Sequence, residues 1–457
     1  MKRKHLAALL LAGLLVTSIG SAVPTQATTS ATETTTETTT ETTANASTDS
    51  AITLTAPSAP SISLIKGGSK RVKIYWGKVA DASGYNIYYS TSKTGTYTKA
   101  KTITDVSTVK YVKTGLTQNK TYYFKMTAFT TVNGVTAESA FSSVKSAKTC
   151  SVPATSKSAK KYTTKSKFVK SAAYKKYSAL SKRSTYSKSF AIPGMKNTNA
   201  GGFASKKMIP QGICQAGGYM LISAYDATGY DESVVYVLNR SSHSYITTIV
   251  LPSKAKVNNL AYDGKNIWIS KGTTIAYFPY SVITSAVTSG NSYYTLKNYT
   301  DILTLNTSAG VIAYHDNVLW VGKSDSSSSS TMYGYTIDTI DGKTSLTSTY
   351  SMSIPSRTQG VSFDSDGYMY LTRSNATSSS KAGYVSNIRT FKPSLTSPTS
   401  TGAVKKGNVL KKIALPPKSE GIAVYGSYLY TLYSGCKYTS CKYPVDRVIA
   451  TKLTQLR

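Results

Sequence analysis

Few residues of this chain are of a kind that does chemistry, and they fall in separate places. Between Ser151 and Ser189 there are at least ten lysines and arginines and no acid, with tyrosines scattered among them. The densest points are Lys160-Lys161, Lys175-Lys176 and Lys182-Arg183. Ammonium groups at such density attract polyanions, with tyrosines adding contact area on sugars or lipid headgroups. The same composition also describes a solvated linker held extended by self-repulsion, with Phe168 to Leu180 as a short basic helix at its centre. A second place is Cys436-Lys437-Tyr438-Thr439-Ser440-Cys441, where the spacing predicts a disulfide closing a short surface loop. Cys214 reads as a small buried apolar residue, and Cys150 stands at a domain border. Beyond the first residues only His243 and His315 remain as histidines, and no Gly-x-Ser-x-Gly elbow, His-Glu-x-x-His or zinc-type cysteine pair occurs. A carboxylate pair for glycoside hydrolysis need not be close in sequence, and nothing in the sequence singles one out.

The elements that must position these groups are announced by a phrase that recurs five times. It reads Pro210-Gln211-Gly212-Ile213-Cys214, Val257-Asn258-Asn259-Leu260-Ala261, Ala309-Gly310-Val311-Ile312-Ala313, Thr358-Gln359-Gly360-Val361-Ser362 and Ser419-Glu420-Gly421-Ile422-Ala423. Each copy is followed by a turn and a second β-rich run, such as Asn266-Ile267-Trp268-Ile269 or Tyr428-Leu429-Tyr430-Thr431. A period of roughly 50 residues with strand–turn–strand content predicts a β-propeller of four-stranded blades. Five motifs give five blades over residues 186–457. The last unit lacks an outer strand, and Tyr186 to Pro193 is expected to supply it and close the ring. A sixth blade would need Lys188 to Pro210, or the insert from Thr377 to Lys412, to hold one.

The ends and the composition set the compartment. Lys2-Arg3-Lys4 and the apolar run Leu6 to Val16 form a secretory leader in bacterial style, ending after Ala22 or Ala27. The run is too short to span a bilayer. No cysteine for lipid attachment lies near it, and no sorting signal is visible at the other end, so a released or non-covalently retained monomer is expected. Residues 28–56 are threonine-rich with little apolar content and read as a disordered stalk. The formal charge is +34, from 54 basic and 20 acidic residues. That excess favours anionic cell-wall polymers or extracellular polysaccharide as partners, and no nucleic-acid recognition motif accompanies it. It also serves solubility.

From Pro57 the pattern changes. Val72-Lys73-Ile74-Tyr75-Trp76 and Tyr85-Asn86-Ile87-Tyr88-Tyr89 alternate apolar and polar residues, and Leu116 precedes Tyr122 by six positions. With Trp76 ending the second strand, residues 57–149 resemble a fibronectin type III domain, whose tyrosine corner has this spacing. The resemblance implies a seven-stranded sandwich acting as a spacer or weak adhesion unit. The basic stretch 150–185 would then link two independently folded domains. The fold class expected is all-β: a fibronectin type III β-sandwich followed by a five-bladed β-propeller.

The repeat in turn resembles propellers of the NHL and gluconolactonase type. A glycine precedes their innermost strand and Asp-Gly makes the next turn, as at Asp263-Gly264 and Asp364-Ser365-Asp366-Gly367. In the gluconolactonase-like enzymes a glutamate before such a glycine helps to hold a divalent metal in the channel. The resemblance carries that role to Glu420, with Gln211, Asn258, Gly310 and Gln359 at the equivalent positions, so the second carboxylate is missing. Three readings follow: a weak Ca2+ site built on Glu420 with catalysis as in a lactonase or other hydrolase, a sugar site formed by Gln211, Asn258, Gln359 and Glu420, or polar packing at the channel mouth. No other cofactor is expected.

Overall fold

The computed structural model describes residues 54–151, 154–201, 203–374, 386–393 and 408–457. The expected leader, nearly all of the threonine-rich stalk and most of the insert after Thr377 lie outside the described residues. Among the described residues no helix is long and apolar enough to cross a membrane. The architecture is all-β with a few short helices.

Residues 57–149 form a fibronectin type III-like sandwich. One sheet holds Ile62–Gly68, Arg71–Trp76 and Lys110–Lys113; the other holds Gly84–Ser90, Thr98–Ile103, Thr121–Val132, Val135–Glu138 and Lys145–Lys148. Alternation in Arg71–Trp76 and Thr121–Val132 turns Val72, Ile74, Trp76, Tyr122, Phe124 and Met126 into one core with Tyr85 and Ile87. Trp76 meets Tyr85 edge-on at 5.4 Å between ring centres. The tyrosine corner is closed by the Thr117 N–H, which donates to the Tyr122 hydroxyl at 3.0 Å.

Among the described residues of 190–457 there are five sheets of three or more strands, each starting with one copy of the repeated phrase. Their first strands are Met208–Ala216, Leu260–Tyr262, Val311–His315, Thr358–Phe363 and Ser419–Tyr425. Each first strand neighbours the next, and the fifth neighbours the first. All five line one narrow cavity of about 150 Å3. The third and fourth sheets have four strands. The second has three, because Tyr293–Thr295 leaves it and pairs in parallel with Tyr245–Val250 of the first, which thereby has five. The fifth sheet takes its outer strand from Phe190–Ala191, antiparallel to Arg447–Lys452. The stretch from Lys188 to Pro210 otherwise gives only a two-stranded hairpin, Thr198–Ala200 with Phe203–Ser205, and no further sheet.

The basic stretch is not an extended solvated linker. It folds into three short helices, Lys165–Val169, Ala172–Lys176 and Ser178–Arg183, the first two capped by Thr164 and Ser171 accepting from Lys167 N and Tyr174 N. Phe168, Ala173, Tyr177 and Leu180 are buried against Tyr433 and Ile449 of the fifth sheet and against Val445 just before its strand Arg447–Lys452. The Asp446 carboxylate accepts from the backbone N–H groups of Lys161 and Tyr162. Sequence composition hid this because four apolar side chains at helical spacing are diluted by lysines that remain on the outside.

The sandwich, too, is docked. Lys66 Nζ lies 2.6 Å from Asp231, Lys73 Nζ 3.1 Å from Glu232, and Lys110 Nζ 3.6 Å from Glu232. Lys254 of the five-sheet region lies over the Tyr75 ring at 4.1 Å. Residues 54–457 are therefore one compact unit rather than two domains on a tether.

Phe168→Ala should lower stability in urea denaturation by about 3–5 kcal/mol, the cost of emptying a buried aromatic site. Lys175→Ala/Lys176→Ala should change it by less than about 0.5 kcal/mol per site. Equal, small effects would contradict the packed arrangement of this stretch.

Candidate functional site

The site begins with glycine. A Cβ on Gly212 would lie 2.6 Å from Asn259 Cα, one on Gly360 2.8 Å from Ile422 N, and one on Gly421 3.0 Å from Gln211 O. The inner strands converge so closely that only glycine fits at these three repeats. In the second repeat Asn259 takes the glycine position, and its Nδ2 donates to Gly310 O at 3.2 Å and Gln359 O at 2.8 Å. It ties three first strands together at the axis. Hydroxyls on the second strands add further clips: Ser223 Oγ donates to Val257 O at 3.1 Å and Thr372 Oγ1 to Glu420 O at 2.8 Å.

One step before this constriction the chain opens into a cavity of about 620 Å3. Gln211, Asn258, Gln359 and Glu420, from four different sheets, all line it, with Gly310 from the remaining one. Gly310 carries no side chain because a Cβ there would run into the backbone of Ser324. Part of the polar ring is already engaged: Gln211 Nε2 donates to Pro210 O at 2.8 Å and Gln359 Nε2 to Ser324 Oγ at 3.0 Å.

Glu420 is the buried centre of the cavity wall. Its Oε1 accepts from Ser434 Oγ at 2.5 Å. Burial pushes its carboxyl up to about 7, against the opposing pull of Ser434, Lys256, Lys418 and Gln211. The second carboxylate on the lining, Asp325, is held well below the usual range by Lys323 at 2.8 Å and by the N–H groups of Ser327 and Ser328.

Four cations, Lys256, Lys323, Arg357 and Lys418, line the same space, with Tyr438 beside them. The sequence reading missed them. Their signal was visible: Lys256, Arg357 and Lys418 stand two residues before Asn258, Gln359 and Glu420. The shared offset is itself the signal, since equivalent places in a repeat occupy equivalent places in the fold. These cations stand beside the amides and the glutamate from which a sugar site was expected. They also make a poor calcium site, because a divalent ion wants several ionised oxygens. Glu420 is half-protonated near neutrality, Asp325 is tied to Lys323, and Lys256 and Lys418 would repel the ion. Among the described residues no cluster of three His, Cys, Asp or Glu side chains could hold a metal.

No protein-family model matches the sequence, and no curated protein does. Solved structures match about a fifth of the chain. A β-1,2-glucanase from Parabacteroides distasonis is 26% identical over 21% of this chain and 13% of its own, with a TM-score of 0.19. An Fn3-like protein from Clostridium thermocellum is 26% identical over 22% of this chain and 99% of its own, with a TM-score of 0.18. The FN3tt structure is 19% identical over 21% of this chain and 98% of its own, at 0.17. The chain spans a small part of the glucanase. These likenesses extend over one fibronectin-sized segment and carry nothing about the five sheets or about activity.

The other expected residues fall elsewhere. Asp263 and Asp364 are turn formers that also hold the next strand's aromatic, accepting from Trp268 Nε1 at 2.6 Å and the Tyr370 hydroxyl at 2.7 Å. His315 stacks on Phe363 at 4.7 Å, and His243 on Phe190 at 4.2 Å. The expected disulfide is not formed: Cys436 and Cys441 are buried free thiols, as is Cys214, while Cys150 is free and half-buried. Backbone bonds already close that loop, from Lys437 N to Ser434 O at 2.9 Å, Tyr438 N to Gly435 O at 3.1 Å and Cys441 N to Tyr438 O at 3.2 Å. Lys160, Lys161, Lys175, Lys176 and Lys182 are exposed, and Arg183 is half-buried.

Because Glu420 moves from its ordinary 4.5 to about 7 on folding, the folded state holds its proton more tightly. The wild type should therefore lose stability as pH rises from about 4.5 through 7. Glu420→Gln keeps the shape and removes the charge, so above pH 7 it should be more stable than wild type by up to about 3 kcal/mol. At pH 4 the difference should shrink towards zero. Urea denaturation at pH 4 and pH 8 checks this, and a difference that does not grow with pH would refute it.

Proposed function

We propose that this protein is an extracellular glycan-binding protein of the cell envelope, retained by its basic surface and recognising ligand in the cavity at the axis of a five-bladed β-propeller. One observation carries the reading: polar side chains from four of the five repeats converge on a single open cavity, although they are far apart in sequence. Amides hydrogen-bond hydroxyls as donor and acceptor, and convergent polar groups in a concave space are what a hydroxylated ligand needs. The propeller reading is supported by the cyclic neighbouring of the five first strands and by the outer strand contributed from the region's start. Secretion rests on the apolar leader, and envelope retention on the lysines that face outward from the packed basic stretch.

A hydrolase acting in this cavity is the second reading. Its support is the pair Glu420 and Asp325, one pushed towards protonation and the other held ionised within the same wall. Opposed carboxyl environments are how acid and base roles divide. Asp325 is, however, largely occupied by local bonds, which favours binding over turnover. Incubation with a bound oligosaccharide decides between them: shortened products that vanish in Glu420→Gln would establish hydrolysis.

Glycan-array binding followed by melting curves tests the main reading. A bound glycan should raise the melting temperature by mass action. Asn258→Ala and Gln359→Ala should each weaken binding about fivefold, the value of one hydrogen bond. If no glycan binds or shifts the curve, the cavity is polar packing. Envelope retention is tested separately. Cosedimentation with cell-wall fragments should collapse as salt rises, since the contacts are exposed and screened. Lys165→Gln/Lys167→Gln/Lys175→Gln/Lys176→Gln should weaken it without unfolding the protein, and binding indifferent to salt would end the idea.

A further inference from the structure

We infer that the cavity selects an anionic glycan, gripping a carboxylate or phosphate borne on a hydroxylated sugar unit with Lys256, Arg357 and Lys418. This rests on the reading of the cavity as a glycan site and adds the chemical class of its ligand.

Three independent features carry it. The first is charge. The lining holds four cations against two carboxylates, and Asp325 is engaged by Lys323 at 2.8 Å. The lining as a whole therefore carries a positive excess. The second is repetition. A cation stands two residues before the ring position in the second, fourth and fifth repeats, so the ring construction that gathers the amides also gathers the cations. The third is backbone strain. Arg357 and Lys418 occupy the same repeat position and both are left-handed, at φ +63° and +62°. Side-chain-bearing residues rarely adopt this conformation, and where it persists it is costly and tends to mark functional sites. Here it aims two cations at one cavity.

The side chains are also placed for the task. Arg357 Nε donates to Ser326 O at 2.6 Å, which fixes the guanidinium at the cavity wall. Lys418 is buried, with its ammonium 4.3 Å from the centre of the Tyr438 ring. Burial lowers its pKa, opposed by Glu420. An ammonium in such a place gains from an added anion more than an exposed one does, because the surrounding dielectric is lower. A neutral sugar would displace water from these cations and return no charge.

The arrangement also makes binding respond to pH. The charged and titratable groups facing Glu420 are Lys256, Lys418, Tyr225 and Tyr438, with Ser434 and Gln211 as hydrogen-bond partners. An anion seated beside this carboxyl favours its protonated form, so binding takes up a proton. Affinity for an anionic glycan therefore rises as pH falls through about 7.

The test is calorimetric titration of the full mature chain with three probes of matched length: an oligouronate, a glycerol-phosphate oligomer and a neutral oligosaccharide. At least one anionic probe should bind at least tenfold more tightly than the neutral one, and which of the two does so separates a carboxylate ligand from a phosphate one. Lys256→Gln, at an exposed position, and Arg357→Gln should each weaken that probe about tenfold, as for loss of a charged hydrogen bond. Lys93→Gln, at an exposed position of the sandwich outside both the cavity and the basic stretch, should leave it unchanged and so separates loss of a cavity cation from general loss of charge. Affinity should fall several-fold between pH 6 and pH 8 in wild type and stay level in Glu420→Gln. Should the neutral probe bind as well as the anionic ones and Lys256→Gln change nothing, the anionic class is wrong while the glycan site stands. Should no probe bind wild type, both fail.

Discussion

Five backbones meeting at one axis is the constraint from which the rest of the five-sheet region follows. Where Gly212, Gly360 and Gly421 pass one another there is no room for a side chain, and Asn259 uses the remaining gap to bond two other strands. Such closeness fixes the register of each first strand, because a slip of one residue would drive a side chain into its neighbour. Register then decides what points where. The residue before the constriction must face the space above it, which is why Gln211, Asn258, Gln359 and Glu420 share one cavity. The strained positions at Arg357 and Lys418 are a second consequence, since the chain enters each of these strands through a turn that it must complete within a few residues.

A chain with 54 basic and 20 acidic residues must place its acids with care. Most of those described serve internal contacts. Asp231 and Glu232 receive the lysines of the sandwich, and Asp226 organises the loop before them, accepting from Ser205 Oγ at 2.8 Å and Asp231 N at 3.1 Å. Asp446 anchors the basic stretch, while Asp364 and Asp366 hold Arg457, each at 2.5 Å. Because these carboxylates are engaged inside the fold, the outward lysines keep their field. The exposed pairs add little stability of their own, so their role is geometric.

Packing of the basic stretch shows how one segment serves two purposes. Its apolar side completes the outer wall of the fifth sheet, next to the strand Phe190–Ala191 that finishes that sheet. Its lysines stay exposed. A rigid basic surface loses less entropy on meeting a polymer than a floppy tether would.

The strand runs, the five repeats, the sandwich of residues 57–149 and the strand returned to the fifth sheet were legible in the sequence because they are local: alternation, turn chemistry and spacing lie within a few residues. The amide and glutamate positions were legible for the same reason, as equivalent places in a repeat. The cations at Lys256, Arg357 and Lys418 lay in that same register but were masked by a lysine-rich background. The docking of the basic stretch and of the sandwich was not legible, since both depend on surfaces presented by distant segments. Nor was the path of Tyr293–Thr295 into the first sheet, or the free thiols of a loop that backbone bonds already close. Sequence alone thus determined which residues stand at the axis. Tertiary structure decided their charge environment, because burial, which only the packing of distant segments supplies, raises Glu420 to about 7 against the opposing pull of Ser434, Lys256 and Lys418.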